Sequence, residues 1–249
     1  MVDKMIFKNE NLVLKVSNSY DPLKLNLDEW DDFLDILCGN RYYQKEAIKT
    51  AVIYLASGQY NVLEDLVKEN FEFNNELIKK FEDFNNYREE LQIKNKLFAN
   101  IDLATGTGKS YVIYGIAQIM LGTGLIDKVL VLCPSLTIED GLMDKFKRLS
   151  ADSNLMKSIP ESSKIKIPSI INANTTITEG SICIENIHAV YEKTKSSIDD
   201  SLKNNGSKVL VLNDESHHIF NKTKDESLKK WKDYRSLYEW IYEINLINK

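Results

Sequence analysis

Apolar and polar positions follow different periods in different parts of this chain, and each period predicts an element. Residues 5–16 (MIFKNENLVLKV) place two short apolar stretches around a polar turn, which predicts a β-hairpin. Asp21-Pro22 breaks the pattern. From Leu27 to Leu55 apolar residues recur at helical spacing, with interruptions, and Gly58 punctuates. Charge is dense over 61–95, where Leu77, Phe81, Phe84 and Leu91 make one helical stripe. That stripe predicts a packed helix pair, a helical insertion at about 59–97 ahead of the main core.

Beyond it, strands and helices alternate. Residues 98–103 read as a short apolar strand, followed by a glycine-rich turn and a helix over 109–121. A strand over 128–133 precedes a helix over 138–149. Residues 150–168, rich in Ser, Lys and Pro, read as a loop. Strands are expected at 169–173 and 181–185, a helix at 187–195, and the most buried strand at 208–213. Apolar or aromatic residues at 228, 231, 234, 238 and 241 predict a last helix over 228–247. Near-continuous apolar strands separated by helices imply an α/β fold, a three-layer parallel sheet with helices on both faces. There is no internal repeat.

Composition sharpens this only a little. The 249 residues, 43% apolar and 28% charged, can bury a sizeable core without staples. A net charge of -5 argues against a protein that coats DNA, but a local basic groove is compatible with it. Cys38, Cys133 and Cys183 form no CxxC pair and are expected reduced, which suits the cytoplasm. The first ten residues hold no apolar run, and no stretch approaches 18 apolar residues, so no membrane partner is expected.

The most specific chemistry lies in Leu103-Ala104-Thr105-Gly106-Thr107-Gly108-Lys109-Ser110, between an expected strand and an expected helix. This is the context a P-loop requires. Glycines let successive backbone N–H groups point at phosphate oxygens, and the helix adds its positive end. Thr105 to Ser110 would cradle a nucleotide, with Lys109 on the β/γ-phosphates and Ser110 on Mg²⁺. Leu103 stands where the general pattern begins with Gly. The second signal is Val209-Leu210-Val211-Leu212-Asn213-Asp214-Glu215-Ser216-His217-His218, an apolar strand ending in two acids. Asp214 would hold Mg²⁺ and Glu215 would polarise the attacking water.

Upstream, Gln44 sits in Arg41-Tyr42-Tyr43-Gln44-Lys45-Glu46-Ala47, which resembles the RxYQxxA adenine-reading segment of superfamily 2 helicases. A Gln amide can pair with adenine N6 and N7 together. With ATGTGKS, CPSLTIE, ENIHAVYE and NDESHH, the stretch from about 41 to 220 resembles the helicase (Res) subunit of type III restriction–modification enzymes and its DEAD/DEAH-box relatives. In superfamily 2 the first P-loop place is commonly non-glycine. The resemblance implies an extension over 1–40 and, over 41–249, the N-terminal RecA-like domain of an ATP-dependent DNA helicase or translocase.

It further implies ATP and Mg²⁺ as cofactors, Gln44 and Arg41 at the adenine, and single- or double-stranded DNA as partner. A methyltransferase/specificity subunit and a second RecA-like half, in cis or trans, are implied partners too. Pro134 and Ser135, at a strand–helix junction, would take a strand phosphate; Thr137 would cap the helix that follows. Asn186 and His188 would either contact phosphate and sugar or serve the fold. His217 would either sense the γ-phosphate or act as a capped loop histidine, and His218 is expected to be structural. The four arginines, Arg41, Arg88, Arg148 and Arg235, lie in no paired helicase segment, and no TGT/SAT-type segment follows the acids. No PD…(D/E)xK nuclease site is readable. A fragment or one piece of a split motor is therefore expected. The competing reading is a non-catalytic nucleotide-sensing or DNA-docking module acting with a separate chain. A P-loop kinase fits less well, because it predicts neither DESHH nor RYYQ.

Overall fold

The computed structural model describes residues 14–91, 93, 95–187, 197–202, 205–216 and 242–248. Helices α1 (Asp31–Cys38) and α2 (Tyr42–Ala56) precede three short helices, α3 (Leu63–Glu72), α4 (Asn75–Phe81) and α5 (Phe84–Glu89). Strand β1 (Leu97–Leu103) leads into α6 (Lys109–Thr123), and β2 (Lys128–Cys133) into α7 (Leu136–Ala151) and α8 (Ser153–Lys157). Then come β3 (Ser169–Ile171), β4 (Ser181–Asn186), α9 (Ile198–Leu202), β5 (Val209–Asn213) and β6 (Tyr242–Asn248). The strands form one sheet in the order β1-β6-β5-β2-β4-β3, parallel throughout.

Alternation along the central strands distributes side chains to two cores. Val129, Val131 and Cys133 of β2, Ile182 and Ile184 of β4, and Leu210 and Leu212 of β5 pack with α1, α2, α6 and α7. Leu130, Leu132, Cys183, Val209 and Val211 turn the other way and pack with Ile198 and Leu202 of α9. Both faces are thus covered, which is why these strands read as unbroken apolar runs. Leu25, Leu27 and Trp30 belong to the first core. Tyr54 ties α2 to β1, its hydroxyl 3.2 Å from both the N and the O of Phe98.

The charged segment before β1 departs from the expected helix pair. It folds as three helices around its own small core of Val67, Phe71, Leu77, Phe81 and Tyr87. The side chains of Asn74 and Asp83 cap α4 and α5, and these local caps divide the stripe. The span 150–168, expected as a loop, contains α8, whose start is capped by Asp152. Most of the expected hairpin, and the expected helix beyond Ile187, lie outside the described residues.

The largest correction is at the C-terminal end. Of the helix expected over 228–247, residues 228–241 lie outside the described residues, and Tyr242–Asn248 is instead a strand inserted between β1 and β5. Its pattern alternates Ile244 and Leu246, facing the first core, with Glu243 and Asn245 on the opposite face. Period two identifies a strand, and the helical stripe stops at residue 241. On that opposite face Asn213 Nδ2 donates to Asn245 Oδ1 at 2.7 Å and Glu243 Oε1 at 3.2 Å. Asn245 Nδ2 donates to Asn100 Oδ1 at 3.0 Å, and Lys96 Nζ to Glu243 Oε2 at 2.9 Å.

The Glu243 side chain is fully buried in this polar strip and pairs with Lys96 at 2.9 Å. Removing one partner of a buried pair costs more than removing both. Lys96→Met should therefore lower unfolding stability by about 3 kcal/mol. The double variant Lys96→Met/Glu243→Leu should recover part of that loss in urea titrations, whereas strictly additive losses would contradict the pairing.

Candidate nucleotide site

Parallel strands deliver their carboxyl ends to one edge of the sheet, and ligands of open α/β sheets bind there. The turn after β1, the loop after β2, the end of β4 and the acids after β5 all lie at that edge. Gly106 and Gly108 both have φ +78°. At Gly108 a Cβ would stand 2.7 Å from Gln44 Nε2 and 3.2 Å from the Tyr111 ring, so only glycine lets these side chains close on the loop. Thr107 closes the turn, its Oγ1 donating to Ala104 O at 2.6 Å. Thr105 is exposed.

Gln44 reaches this loop from the first turn of α2. Its Nε2 donates to Thr107 O at 2.5 Å, and its Oε1 is buried with no hydrogen-bond partner. An unpaired buried acceptor is costly, and a ligand donor such as an adenine amino group would satisfy it. Tyr43, which the sequence reading passed over, donates from its hydroxyl to the same Thr107 oxygen at 3.0 Å. The Arg41 guanidinium lies 5.9 Å from the centroid of the Tyr111 ring.

Across the edge, Lys109 Nζ stands 3.0 Å from Glu215 Oε1. The two sequence motifs therefore meet in space. Asp214 is tied to the end of β2 by its N–H, which donates to Leu132 O at 2.8 Å. Burial, and then the adjacent Glu215 charge, push the Asp214 carboxyl up to about 6, with Lys109 acting in the opposite sense. Glu215 adopts φ +50°, sparsely populated for a non-glycine residue, and such strain concentrates at functional sites. The Ser110 hydroxyl accepts a 2.6 Å hydrogen bond from Lys145 Nζ of α7. Desolvation, then Arg148 and Arg41, lower the pKa of Lys145 from the usual lysine range. Lys145 lies in no motif, and Tyr43, the tyrosine of the RxYQxxA segment, had no role assigned by its spacing. Among the described residues no cluster of three or more His, Cys, Asp or Glu side chains forms a metal centre. Magnesium usually keeps waters and takes one or two carboxylates plus phosphate oxygens, so Ser110 and Asp214 are a chemically suitable protein share.

The expected nucleic-acid residues are only partly placed. Ser135 Oγ accepts from Ile138 N at 3.4 Å and is itself the N-cap of α7, so Thr137 does not cap it. Asn186 is buried, with Nδ2 donating to Glu139 Oε2 at 2.8 Å and Glu185 Oε1 at 3.2 Å. Pro134 is half-buried beside Ser135. His188 and His217 lie outside the described residues.

The strand order, the loop after β1 and the acids after β5 define the class: a RecA-like α/β domain of the P-loop type. The family model described as "Type III restriction enzyme, res subunit" matches residues 38–243, most of the chain. The protein belongs to that family, and the domain is the N-terminal RecA-like domain of a superfamily 2 helicase. No curated protein matches the chain. Among solved structures, the UvsW helicase from bacteriophage T4 matches at 16% identity and a TM-score of 0.38. The match covers 63% of this chain and 48% of the UvsW chain, so this chain spans about half the length of that helicase.

A carboxyl held high in the folded chain binds its proton more readily there than in the unfolded chain. Folding therefore loses stability as pH rises from 3.8, the usual value, to about 6. Asp214→Asn removes that cost. Its stability relative to the parent chain should be greater at pH 8 than at pH 4, by on the order of 2 kcal/mol in urea titrations. A pH-independent difference would contradict the buried acid.

Proposed function

We propose that residues 41–249 form the ATP-binding motor domain of an ATP-dependent DNA helicase or translocase, working in a type III restriction-like system. The observation that carries this reading is the 3.0 Å approach of Lys109 to Glu215, which joins the glycine-rich loop to the acids at the β5 tip. Lys109 and the loop amides from Thr105 to Ser110 would hold the phosphates, and Gln44 and Arg41 the adenine. Ser110 and Asp214 would hold Mg²⁺. When bound, the ion neutralises charge on the β- and γ-phosphate oxygens. Glu215 would accept a proton from the attacking water, and its approach to Lys109 supports a rigid placement for that task. We assign His217 to γ-phosphate sensing on the strength of the family alone.

Pro134, Ser135 and His188 would line the DNA groove, contacting backbone and not base edges, while Asn186, its donors bound to Glu139 and Glu185, would hold the loop beside them. A second RecA-like half, in cis or in another chain, would supply the arginines that complete the site, and a methyltransferase/specificity subunit is the partner the family suggests. Among the described residues no helix is long and apolar enough to cross a membrane. The three cysteines are free and buried, which suits a cytoplasmic setting.

The test is equilibrium binding and turnover of ATP, with and without single- and double-stranded DNA. Lys109→Ala should abolish nucleotide binding, and undiminished binding would defeat the assignment. Glu215→Gln should retain binding and lose DNA-stimulated hydrolysis by roughly a hundredfold or more once the second half is supplied. Gln44→Ala should weaken ATP binding and reduce the preference for ATP over GTP. Binding with no turnover, even in the presence of the second half, would favour the nucleotide-sensing module.

A further inference from the structure

Lys145 has no part in the motifs, yet it touches the residue expected to carry the metal. It projects from α7, its ammonium donates to Ser110 Oγ at 2.6 Å, and the same nitrogen lies 4.4 Å from the Tyr111 ring centroid. Arg41 approaches that ring as well. Arg148 lies three residues along α7, the spacing at which helix side chains are neighbours. Arg41, Lys145 and Arg148 thus gather at one end of α6, and none of them forms an ion pair with a described residue. Lys145 is half-buried. A partly desolvated cation with like charges around it and only a neutral hydroxyl as acceptor is poorly compensated, and an arriving anion would relieve it.

The hydroxyl at Ser110 poses a second constraint. One oxygen cannot accept from an ammonium at 2.6 Å and also ligate a divalent cation without strong repulsion between the two charges. An anion open to a displaced ammonium would be an oxygen of the triphosphate that the same metal binds. The four-carbon lysine stem is flexible enough for such a move. Resting on the nucleotide reading above, we propose that Lys145 is a further nucleotide-contacting residue. It caps the Ser110 hydroxyl when no nucleotide is bound and transfers to a phosphate oxygen of a nucleoside triphosphate as Mg²⁺ takes Ser110. This chain then contributes a cation of its own to the phosphates, besides Lys109.

The proposal predicts two effects of opposite sign. Lys145→Met keeps the stem against Tyr111 and removes the charge. Titration of the full chain with a fluorescent ATP analogue at saturating Mg²⁺ should show affinity weakened about tenfold, and Lys145→Arg should restore most of it. Titration of Mg²⁺ at fixed nucleotide should show the half-effect shifting to lower Mg²⁺ in Lys145→Met, because the competing ammonium is gone. Thermal melting of the nucleotide-free variants reads out folding separately. Unchanged analogue affinity in Lys145→Met would overturn the proposal. So would a loss of both nucleotide and Mg²⁺ affinity in step with a lowered melting temperature, which marks a merely structural residue. If the parent chain binds no nucleotide, the site reading itself fails and this proposal fails with it.

Discussion

The burial of α6 is the constraint on which the rest depends. Residues Val112 to Gly122 are all buried, so this helix lies wholly inside the domain, between the sheet and its neighbouring helices. Burial on every side leaves no freedom of rotation or slide. Gly115 shows how close the packing is: a Cβ there would meet Ile48 Cδ1 at 2.6 Å and Leu37 Cδ2 at 3.1 Å. The helix that carries Lys109 and Ser110 at its first turn is therefore fixed relative to α2, which carries Gln44. The loop between β1 and α6 inherits that rigidity, which is what preorganised phosphate binding requires.

Electrostatics at the sheet edge follow from the same packing. Asp214 is buried at the end of β5, and burial together with the Glu215 charge beside it opposes its ionisation. Lys109 faces them from one side, at 3.0 Å from Glu215. The arrangement gives up some stability to hold negative charge at the sheet edge, where a divalent cation would use it.

Much of this was legible in the sequence because the informative signals were local. The GTGKS turn, the helix after it and the VLVL strand before Asp214 each declare themselves within ten residues, and the observed bounds differ from the reading by only a residue or two. What was misread depended on partners distant in the chain. Strand β6 alternates apolar with polar residues because its second face pairs with Asn213, Asn100 and Lys96, and that polar strip imitates a solvated helix flank. Helices α3 to α5 separate where caps intervene in a continuous stripe. Lys145 lies outside every motif, and Glu139 ends the CPSLTIE segment with nothing in its spacing to mark a role; only the crossing of α7 over the sheet edge brings one to Ser110 and the other to Asn186.

That crossing bears on how Asn186 is to be understood. The sequence left it open between a contact for the nucleic-acid backbone and a prop for the fold. Both its backbone N–H and its Nδ2 donate to Glu139 Oε2, at 3.1 and 2.8 Å, and Nδ2 also reaches Glu185 Oε1. Glu185 in turn accepts from Ala173 N at 3.1 Å through its other oxygen. Satisfied buried networks of this kind rigidify what they join, and here they join the start of α7 to the ends of β3 and β4. The same helix is capped by Ser135 and touches Ser110 through Lys145. A side chain whose donors are already committed inward has little to offer a phosphate. The geometry therefore weights Asn186 toward holding the β4 loop in place, and it makes α7 an element that touches both the expected strand-binding edge and Ser110.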